Sequence, residues 1–267
     1  MINKEQVTQK FSASVQTYAE ESFAQQHIAR KMAQLLQQHL PFTTPKQVVE
    51  LGCGTGYFSR QLIQLYGESP LILNDICPAM LSYCQEHLDE GIRLLPGDAE
   101  NICLPRHTTL ITSCSAIQWF NELPHFFERC LSSLSREGYL AFSTFGPDNI
   151  REVKQLSGKG LHYPSLREII QMLEPHYELC HVEEEHLSYN FSSPLEVLRH
   201  LKRTGVTGRG STRMTPSQLA TFQKEYTRRF GQPKGVSLTY HPLYVVARKK
   251  EQRAYATLSY YQQKRIS

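Results

Sequence analysis

A glycine-rich turn directly after a short apolar segment is the feature that most constrains this chain. Residues 48–51 are apolar except for Glu50, as a buried strand would be. Three glycines follow at alternate positions, Gly52, Gly54 and Gly56. Glycine lets the backbone approach a ligand that any Cβ would push away. Helical apolar spacing then continues to about residue 66, so the pattern predicts a strand, a tight turn and a helix.

The alternation of apolar segments with helical spacing continues beyond this turn. Predicted strands lie at 48–51, 71–75, 92–96, 110–115 and 139–145. Continuous apolar strands that alternate with helices are typical of a parallel sheet covered on both faces. Residues 177–189 and 236–249 are each predicted to form an antiparallel strand. We therefore predict a Rossmann-like α/β fold whose sheet is mostly parallel with an antiparallel edge.

The same patterns divide the chain into four parts. Residues 1–40 are predicted to form leading helices that cover the ligand site. Residues 41–188 and 236–249 are predicted to form the α/β core. Residues 189–235 are predicted to be a helical insert before the last strand, and residues 250–267 a basic tail.

Charge is distributed unevenly over these parts. The chain carries 29 Lys and Arg against 25 Asp and Glu. Nine of the basic residues lie at 195–235 beside two acids, and six lie at 248–267 beside one. Basic segments on an acidic body are typical of a surface that meets an anionic partner. Nucleic acid is not predicted as that partner, because no recognition motif accompanies the charge.

Three features of the sequence bear on its location. No apolar run approaches the ~20 residues that a membrane-spanning helix needs. The polar start MINKEQVTQK lacks the apolar stretch of a signal peptide. The seven cysteines include no CxxC pair, which fits a reducing compartment. We therefore expect a cytoplasmic protein with no membrane partner, whose cysteines are small buried residues rather than catalysts.

Polar groups follow the predicted strands where each one ends. Asp75 ends the second strand, Asp98 and Ala99 follow the third, and Ser115 follows the fourth. Ligands of open α/β sheets bind beyond the carboxyl ends of the strands, so these groups are predicted to share one site. The Asp75 carboxylate can accept both hydroxyls of a ribose, and Asp98 with adjacent amides can hold an adenine edge. The site is therefore predicted to bind a nucleoside.

The spacing of the glycines selects among nucleoside cofactors. A dinucleotide site uses GxGxxG to seat a pyrophosphate at a helix N-terminus. This chain instead has GxGxG, with Glu50 two residues before the first glycine. That carboxylate would repel a pyrophosphate and attract a sulfonium and an ammonium, which favours S-adenosylmethionine. The residues predicted to bind it are Glu50, Gly52, Gly54, Gly56, Asp75, Ile76, Met80, Asp98, Ala99 and Ser115.

No metal site is predicted. His181 and His186 flank three consecutive glutamates, an arrangement that could suggest metal ligands. Residues five apart on a strand point to opposite faces, however, so the segment is better interpreted as a charged strand edge.

The glycine motif is similar to the E/D-x-G-x-G-x-G motif of class I methyltransferases, and further segments resemble one family of them. These segments are SCSAIQW at 113–119, FSTFG at 142–146, LRHLKRTGVT at 198–207, MTPSQL at 214–219 and LTYH at 238–241. They resemble the malonyl-acyl-carrier-protein O-methyltransferases of biotin synthesis, and the resemblance covers about residues 7 to 248. Phe11, Tyr18 and Gln25 also match at the expected spacing, whereas Asn74 stands where an apolar residue is usual.

The resemblance implies a reaction. The free carboxylate of a malonyl thioester takes a methyl group from S-adenosylmethionine, and the thioester is carried on the acidic acyl carrier protein or on coenzyme A. Tyr18 and Gln25 are implied as further cofactor residues. No residue is a certain catalyst, because a carboxylate that is already ionised needs no general base. The candidates for positioning the acceptor are Tyr18, Trp119, Arg199, Lys202 and His241.

Two questions about the acceptor stay open on the sequence. Arg199 and Lys202 share a face of the predicted insert helix. One of them reaches the malonyl carboxylate or the phosphate of the pantetheine arm, or both only add positive surface for the carrier. Trp119, the single tryptophan, follows a strand end and is predicted near the transferred methyl group. The rival interpretation is a class I methyltransferase that acts on a small molecule such as a quinone precursor.

Overall fold

The computed structural model describes residues 1–88, 91–158, 160–205 and 214–251, with all of their side chains except those of residues 14 and 16–21. The strands are β1 (Val48–Leu51), β2 (Leu71–Asp75), β3 (Arg93–Pro96), β4 (Thr108–Cys114), β5 (Leu134–Phe145), β6 (Tyr177–Glu184), β7 (Leu187–Phe191), β8 (Gly231–Gln232), β9 (Gly235–Tyr240) and β10 (Pro242–Lys249). The helices are α1 (Lys4–Glu21), α2 (Phe23–His39), α3 (Tyr57–Tyr66), α4 (Pro78–His87), α5 (Leu123–Ser133), α6 (Arg151–Ser157), α7 (Leu166–Leu173), α8 (Pro194–Arg203) and α9 (Pro216–Phe230). A 3-10 turn spans Ile117–Trp119.

The main sheet has seven strands in the order β3-β2-β1-β4-β5-β10-β6. The first five run parallel to one another, and β10 pairs antiparallel with both β5 and β6. Neighbouring residues of a strand face opposite sides of a sheet. Val245 and Val246 are both fully buried, so both faces of this sheet are covered. The predicted Rossmann-like fold with an antiparallel edge is confirmed.

The structure differs from the prediction at the antiparallel edge, where each of the two predicted strands is divided in two. The first, at 177–189, is interrupted after Glu184, and the second, at 236–249, is interrupted at His241. The amide of Glu185 donates a hydrogen bond of 3.1 Å to the carbonyl of Pro242 at this crossing. Strands β7 and β9 then leave the main sheet and form a small sheet with β8. Pro242 marks the second break, whereas neither glycine nor proline marks the first, so the strand pattern alone does not reveal the first break.

The predicted insert helices are present as α8 and α9. Thr215 caps α9, because its hydroxyl accepts a hydrogen bond from the Gln218 amide and Pro216 occupies the first turn. The leading region predicted to be helical contains two helices, α1 and α2. Most of the predicted basic tail, residues 252–267, lies outside the described residues.

Within the described part of the chain, every helix is too short or too polar to cross a membrane. The division into four structural parts stays a prediction.

Candidate functional site

A cavity of about 940 Å³, counting its open mouth, lies at the carboxyl edge of the main sheet. Residues at or just after the ends of β1, β2, β3 and β4 form one wall, and residues of α1 and α2 contribute to the other. The four strand ends meet there because the strands run in the same direction. Ten of the predicted cofactor residues line it, namely Gln25, Glu50, Gly52, Gly54, Asp75, Ile76, Met80, Asp98, Ala99 and Ser115.

The loop after β1 presents bare backbone to this cavity. Gly52 has a φ angle of +72° and Gly54 one of +54°, a region that other residues rarely adopt. A Cβ built on Gly52 would lie only 2.3 Å from the Cβ of Ala116. Both conformation and contact therefore exclude a side chain at Gly52.

Gly56, also predicted to bind the cofactor, is placed differently. It is the N-terminal cap of α3, with a φ angle of +74°, and it is not one of the residues that line the cavity. A Cβ on Gly56 would lie 3.1 Å from both Sγ of Cys84 and a methyl carbon of Leu88. The third glycine is explained by the turn into α3 and by close packing against α4.

Asp75 holds the glycine loop as well as lining the cavity. Its Oδ2 accepts a hydrogen bond of 2.9 Å from the Gly54 amide, and its Oδ1 accepts one of 2.8 Å from the Cys77 amide. Burial raises the pKa of this carboxyl, and the backbone hydrogen bonds oppose the increase. Each carboxylate oxygen retains acceptor capacity for a further donor, such as a ribose hydroxyl.

Asn74 stands where the family that this sequence resembles usually has an apolar residue. Its hydrogen bonds to the end of β3 and the loop that follows explain how a polar side chain is accommodated there. Its side-chain amide donates hydrogen bonds of 2.7 Å to the carbonyl of Leu95 and 2.8 Å to that of Gly97. Its backbone carbonyl accepts from the amides of Gly52 and Cys53. The buried polar side chain is therefore paired, and it ties β2 to the end of β3.

Glu50 lies almost fully buried at the end of β1, with 1% of its surface exposed. The Ser59 hydroxyl donates a hydrogen bond of 2.6 Å to its Oε2. Burial raises the pKa of Glu50 to about 8, and the charge of Asp75 adds to this effect while the Ser59 hydrogen bond opposes it. A cation entering the cavity would favour the ionised form of this carboxyl.

Ser115 and Trp119 form the wall after β4. Ser115 has a φ angle of +55°, which is strained for a residue with a side chain, and its buried hydroxyl has no hydrogen-bond partner among the described residues. The buried Oε1 of Gln25, across in α2, is also unpartnered within that part of the chain. The ring of Trp119 meets that of Phe11 edge-on at 5.8 Å. The cavity therefore offers unpaired polar atoms beside an aromatic wall.

Sequence reasoning predicted leading helices over the site but did not single out Lys4 and Val7 of α1. Lys4, Val7 and Phe11 line the cavity and recur at spacings of three and four, which places them on one helical face. That spacing is the signal that could have identified Lys4 and Val7. Tyr18, predicted to bind the cofactor, lies in α1, but its side chain is outside the described part of the structure.

Three of the predicted positioning residues, Arg199, Lys202 and His241, do not line the cavity. Arg199 lies on the exposed side of α8, where its guanidinium pairs with the Glu196 carboxylate. Lys202 is exposed one turn further along the same helix. His241 lies between β9 and β10, where its side chain is buried.

The surroundings of His241 bear on metal binding. Asp148, His186 and His241 place ligand atoms within 4.8 Å of one another. The Asp148 amide donates to Nδ1 of His241, so the ring proton is on Nε2, which lies 3.2 Å from a carboxylate oxygen of Glu184. The two histidine rings stack at 4.1 Å. Both nitrogens of His241 are thus engaged, and the cluster is explained as a junction between the two sheets.

Comparison with known sequences extends over nearly the whole chain. Residues 48–138 match a methyltransferase domain family. The chain is 49% identical over 245 residues to a malonyl-[acyl-carrier protein] O-methyltransferase from Bacteroides fragilis, which covers 91% of this chain and 50% of that protein. It is 44% identical over 261 residues to a protein of the same name from Bacteroides thetaiotaomicron, which covers 94% of this chain and 100% of that one. The chain therefore spans half the length of the first relative and the full length of the second.

The fold has counterparts among solved structures. A Bacillus halodurans protein assigned as a methyltransferase matches with a TM-score of 0.62 at 16% identity, covering 82% of this chain and 98% of that protein. At this identity the likeness shows the fold alone.

Proposed function

We infer the activity from the family, because the chain belongs to the malonyl-[acyl-carrier protein] O-methyltransferases. We propose that it transfers a methyl group from S-adenosylmethionine to the free carboxylate of a malonyl thioester carried on acyl carrier protein. The methyl ester would then begin pimeloyl synthesis for biotin. The observation that carries the proposal is an acidic cavity beside a glycine loop, in a chain that aligns with such an enzyme along its full length.

The residues of the cavity fit the proposed cofactor. A Cβ would fill the space that bare backbone leaves at Gly52. Glu50, Asp75 and Asp98 make the wall acidic, which suits a cation and disfavours a pyrophosphate. The buried oxygens of Gln25 and Ser115, which have no hydrogen-bond partner among the described residues, offer acceptors for further polar groups. S-adenosylmethionine, when bound, would supply an electrophilic methyl group on a sulfonium.

We assign the cofactor contacts as follows. The Asp75 carboxylate would accept the ribose hydroxyls, and Asp98 and Ala99 would hold the adenine edge. Glu50 would pair with the positively charged end of the cofactor. Trp119, in the wall after β4, would shield the reacting groups from water.

The proposed acceptor needs positioning rather than activation. A carboxylic acid with a pKa of ~4 is already ionised at neutral pH, so no side chain has to remove a proton. In-line placement of the carboxylate and its partial desolvation would supply the rate enhancement. The aromatic wall of Phe11 and Trp119 would exclude water at that place.

The carrier protein is the proposed partner of the insert. Lys202 on α8 and Lys224 on α9 are exposed. Helix α8 ends near the cavity, since a Cβ on Gly205 would lie 3.0 Å from the ring of Phe11, a cavity residue. An acidic carrier docked on α8 and α9 would therefore be close to the cavity. Electrostatic attraction would raise its rate of association.

Transfer of isotopically labelled methyl groups would test the proposal. Malonyl-acyl carrier protein should yield a base-labile labelled ester, and acetyl-acyl carrier protein, which lacks the free carboxylate, should yield none. Malonyl-CoA carries the same malonyl group without the protein. Comparing its rate with that of malonyl-acyl carrier protein therefore measures how much the protein partner contributes. Label on a quinone precursor, with none on either malonyl thioester, would replace the proposal by the small-molecule function.

A further inference from the structure

We propose that Lys4 forms an ionic latch that holds the first turn of α1 closed over the cavity, and that opening of this latch limits exchange of the bound cofactor. The nature of that ligand rests on the proposed function, whereas the latch itself is argued from contacts between α1 and the loops after β3 and β4.

Helix α1 lies across one side of the cavity. Lys4, Val7 and Phe11 line it, and Val7 is only 8% exposed. These three residues come from successive turns of one helical face. A ligand that fills the cavity would therefore be covered along about two turns of α1, and outward movement of this part of the helix would widen the path by which a ligand of nucleoside size enters or leaves.

The charged end of Lys4 is held by two carboxylates on the opposite wall. Its Nζ lies 3.1 Å from Oδ1 of Asp98 and 2.6 Å from Oε2 of Glu100. The same Nζ lies 4.7 Å from the centre of the Phe120 ring. The Lys4 side chain is only 20% exposed and that of Glu100 only 10%. Such partial burial makes these ion pairs stronger than fully exposed ones.

Backbone contacts secure the residues just before Lys4. The Ile2 amide donates a hydrogen bond of 2.5 Å to Oδ1 of Asn121, and the Asn121 side-chain amide donates one of 3.2 Å to the Ile2 carbonyl. Residues 2 to 4 are thus attached to the segment that follows the 3-10 turn.

Glu100 makes the receiving side of the latch rigid. Its carboxylate accepts hydrogen bonds from the backbone amides of Asn121, at 2.9 Å, and Glu122, at 2.8 Å. Glu122 is the N-terminal cap of α5. The carboxylate is therefore fixed before Lys4 reaches it, so the ion pair requires ordering of the lysine alone.

The contacts of Phe11 and Ser12, further along α1, are of a different kind. Phe11 packs against Trp119 and close to Gly205, and the hydroxyl of Ser12 lies 3.0 Å from Sγ of Cys77. Salt weakens ion pairs at partly exposed sites but does not weaken apolar packing. The closure of the first turn of α1 should therefore depend on ionic strength.

The test compares Lys4→Met with Lys31→Met. Methionine keeps much of the aliphatic length of lysine and removes the charge. Lys31 is the matched control, because its Nζ makes an ion pair of 2.9 Å with Glu183 at another place in the molecule. Amide hydrogen exchange of residues 2–11, measured without ligand, reports opening of the latch directly. Trp119, the only tryptophan, provides a fluorescence signal for binding and release of S-adenosylhomocysteine.

We expect Lys4→Met to speed exchange of the 2–11 amides about fivefold and to raise the S-adenosylhomocysteine dissociation rate by a similar factor. Lys31→Met should leave both unchanged. Raising the salt concentration to about 0.5 M should bring the wild-type rates towards those of Lys4→Met and leave the variant's own rates nearly constant.

Equal amide exchange in wild type and Lys4→Met would overturn the latch, whatever the ligand does. Faster amide exchange with an unchanged dissociation rate would overturn its control of cofactor exchange. Failure of the wild type to bind S-adenosylhomocysteine would count against the proposed function instead, and the amide exchange would still decide whether the latch exists.

Discussion

The backbone amide of Gly54 donates a hydrogen bond of 2.9 Å to the carboxylate of Asp75, which joins the glycine loop after β1 to the end of β2. Two of the residues predicted to bind the cofactor are therefore parts of one hydrogen-bonded unit. A change at Asp75 should alter both the proposed ribose contact and the shape of the loop.

Asp75→Ala should weaken S-adenosylhomocysteine binding by about 1.5–3 kcal/mol, because charge-assisted hydrogen bonds of this kind are lost. Calorimetry gives the affinity, and thermal unfolding shows whether the variant is folded. Asp148→Ala removes a half-exposed carboxylate beside His186 and should leave the affinity unchanged. Equal affinity of wild type and folded Asp75→Ala would show that the ribose is not bound there.

Cofactor affinity should rise with pH between about pH 6 and 8. Burial raises the pKa of Glu50 to about 8 in the ligand-free protein, so most of the carboxyl is protonated at pH 7. A bound cation favours the carboxylate and lowers that pKa, so binding releases a proton in this range. The affinity should then rise by up to about tenfold per pH unit and level off above pH 8.

Glu50→Gln should remove this pH dependence, because glutamine does not titrate. Calorimetry in buffers of different ionisation enthalpy measures the released proton directly. Glu183→Gln is the control: partial burial opposes ionisation there, but hydrogen bonds from Lys31 and His181 keep the pKa of Glu183 below its ordinary value. The same pH slope in wild type and Glu50→Gln would refute the assignment.

Glu50 should also make the ligand-free protein less stable at alkaline pH. Its folded pKa is raised above the unfolded value, so the protonated form contributes stability below about pH 4.5 that is lost as the pH rises through about 8. Glu50→Gln should therefore unfold at a higher temperature than wild type at pH 8 to 9, and the two should converge towards pH 5. A constant difference across this range would contradict the burial argument.

Gly52→Ala should lower the free energy of unfolding by more than the strain of its positive φ angle alone would. The positive φ angle costs about 1–2 kcal/mol with any Cβ, and the new methyl group would lie 2.3 Å from that of Ala116. Gly158→Ala is the matched control, because Gly158 has a φ angle of +63° and no heavy atom of the described residues lies within 4 Å of its built Cβ. Denaturant unfolding compares the two variants.

The double variant Gly52→Ala/Ala116→Gly isolates the contact in Gly52→Ala. Removing the Ala116 methyl group should recover the stability lost to overlap and leave only the cost of the φ angle. Equal stability of the single and double variants would show that the Ala116 contact does not matter.

Lys202→Glu should raise the KM for malonyl-acyl carrier protein several-fold at low salt, because it reverses a charge on the proposed docking face. The effect should shrink as salt is added. It should also be small with malonyl-CoA, which lacks the acidic protein. Lys46→Glu alters an exposed residue just before β1, at the opposite edge of the sheet, and serves as the control. Equal effects of both variants would exclude docking on α8.

The strand ends are the part of the candidate site that could be predicted. Glu50, Asp75, Asp98 and Ser115 each lie at or just after the end of a recognisable parallel strand, and parallel strands bring their carboxyl ends to one edge. Gly56 fits the same motif, but packing against Cys84 explains it, and a motif cannot separate a ligand contact from a helix contact. Arg199 shows a further limit of prediction from sequence. Helical spacing shows which face of a helix a residue occupies but not what lies opposite that face, and Arg199 pairs with Glu196 instead of lining the cavity.

The sequence by itself determined the order of strands and helices and the chemical groups at the strand ends, because apolar periodicity and glycine positions act over a few neighbouring residues. Only the tertiary structure decided what covers the carboxyl edge of the main sheet, where those strand ends lie. Lys4 meets Asp98 across 94 positions of the chain, and His186 stacks on His241 where two strands leave the main sheet. Such contacts depend on how α1 and the small sheet pack on the core, and that packing leaves no periodic trace in the sequence.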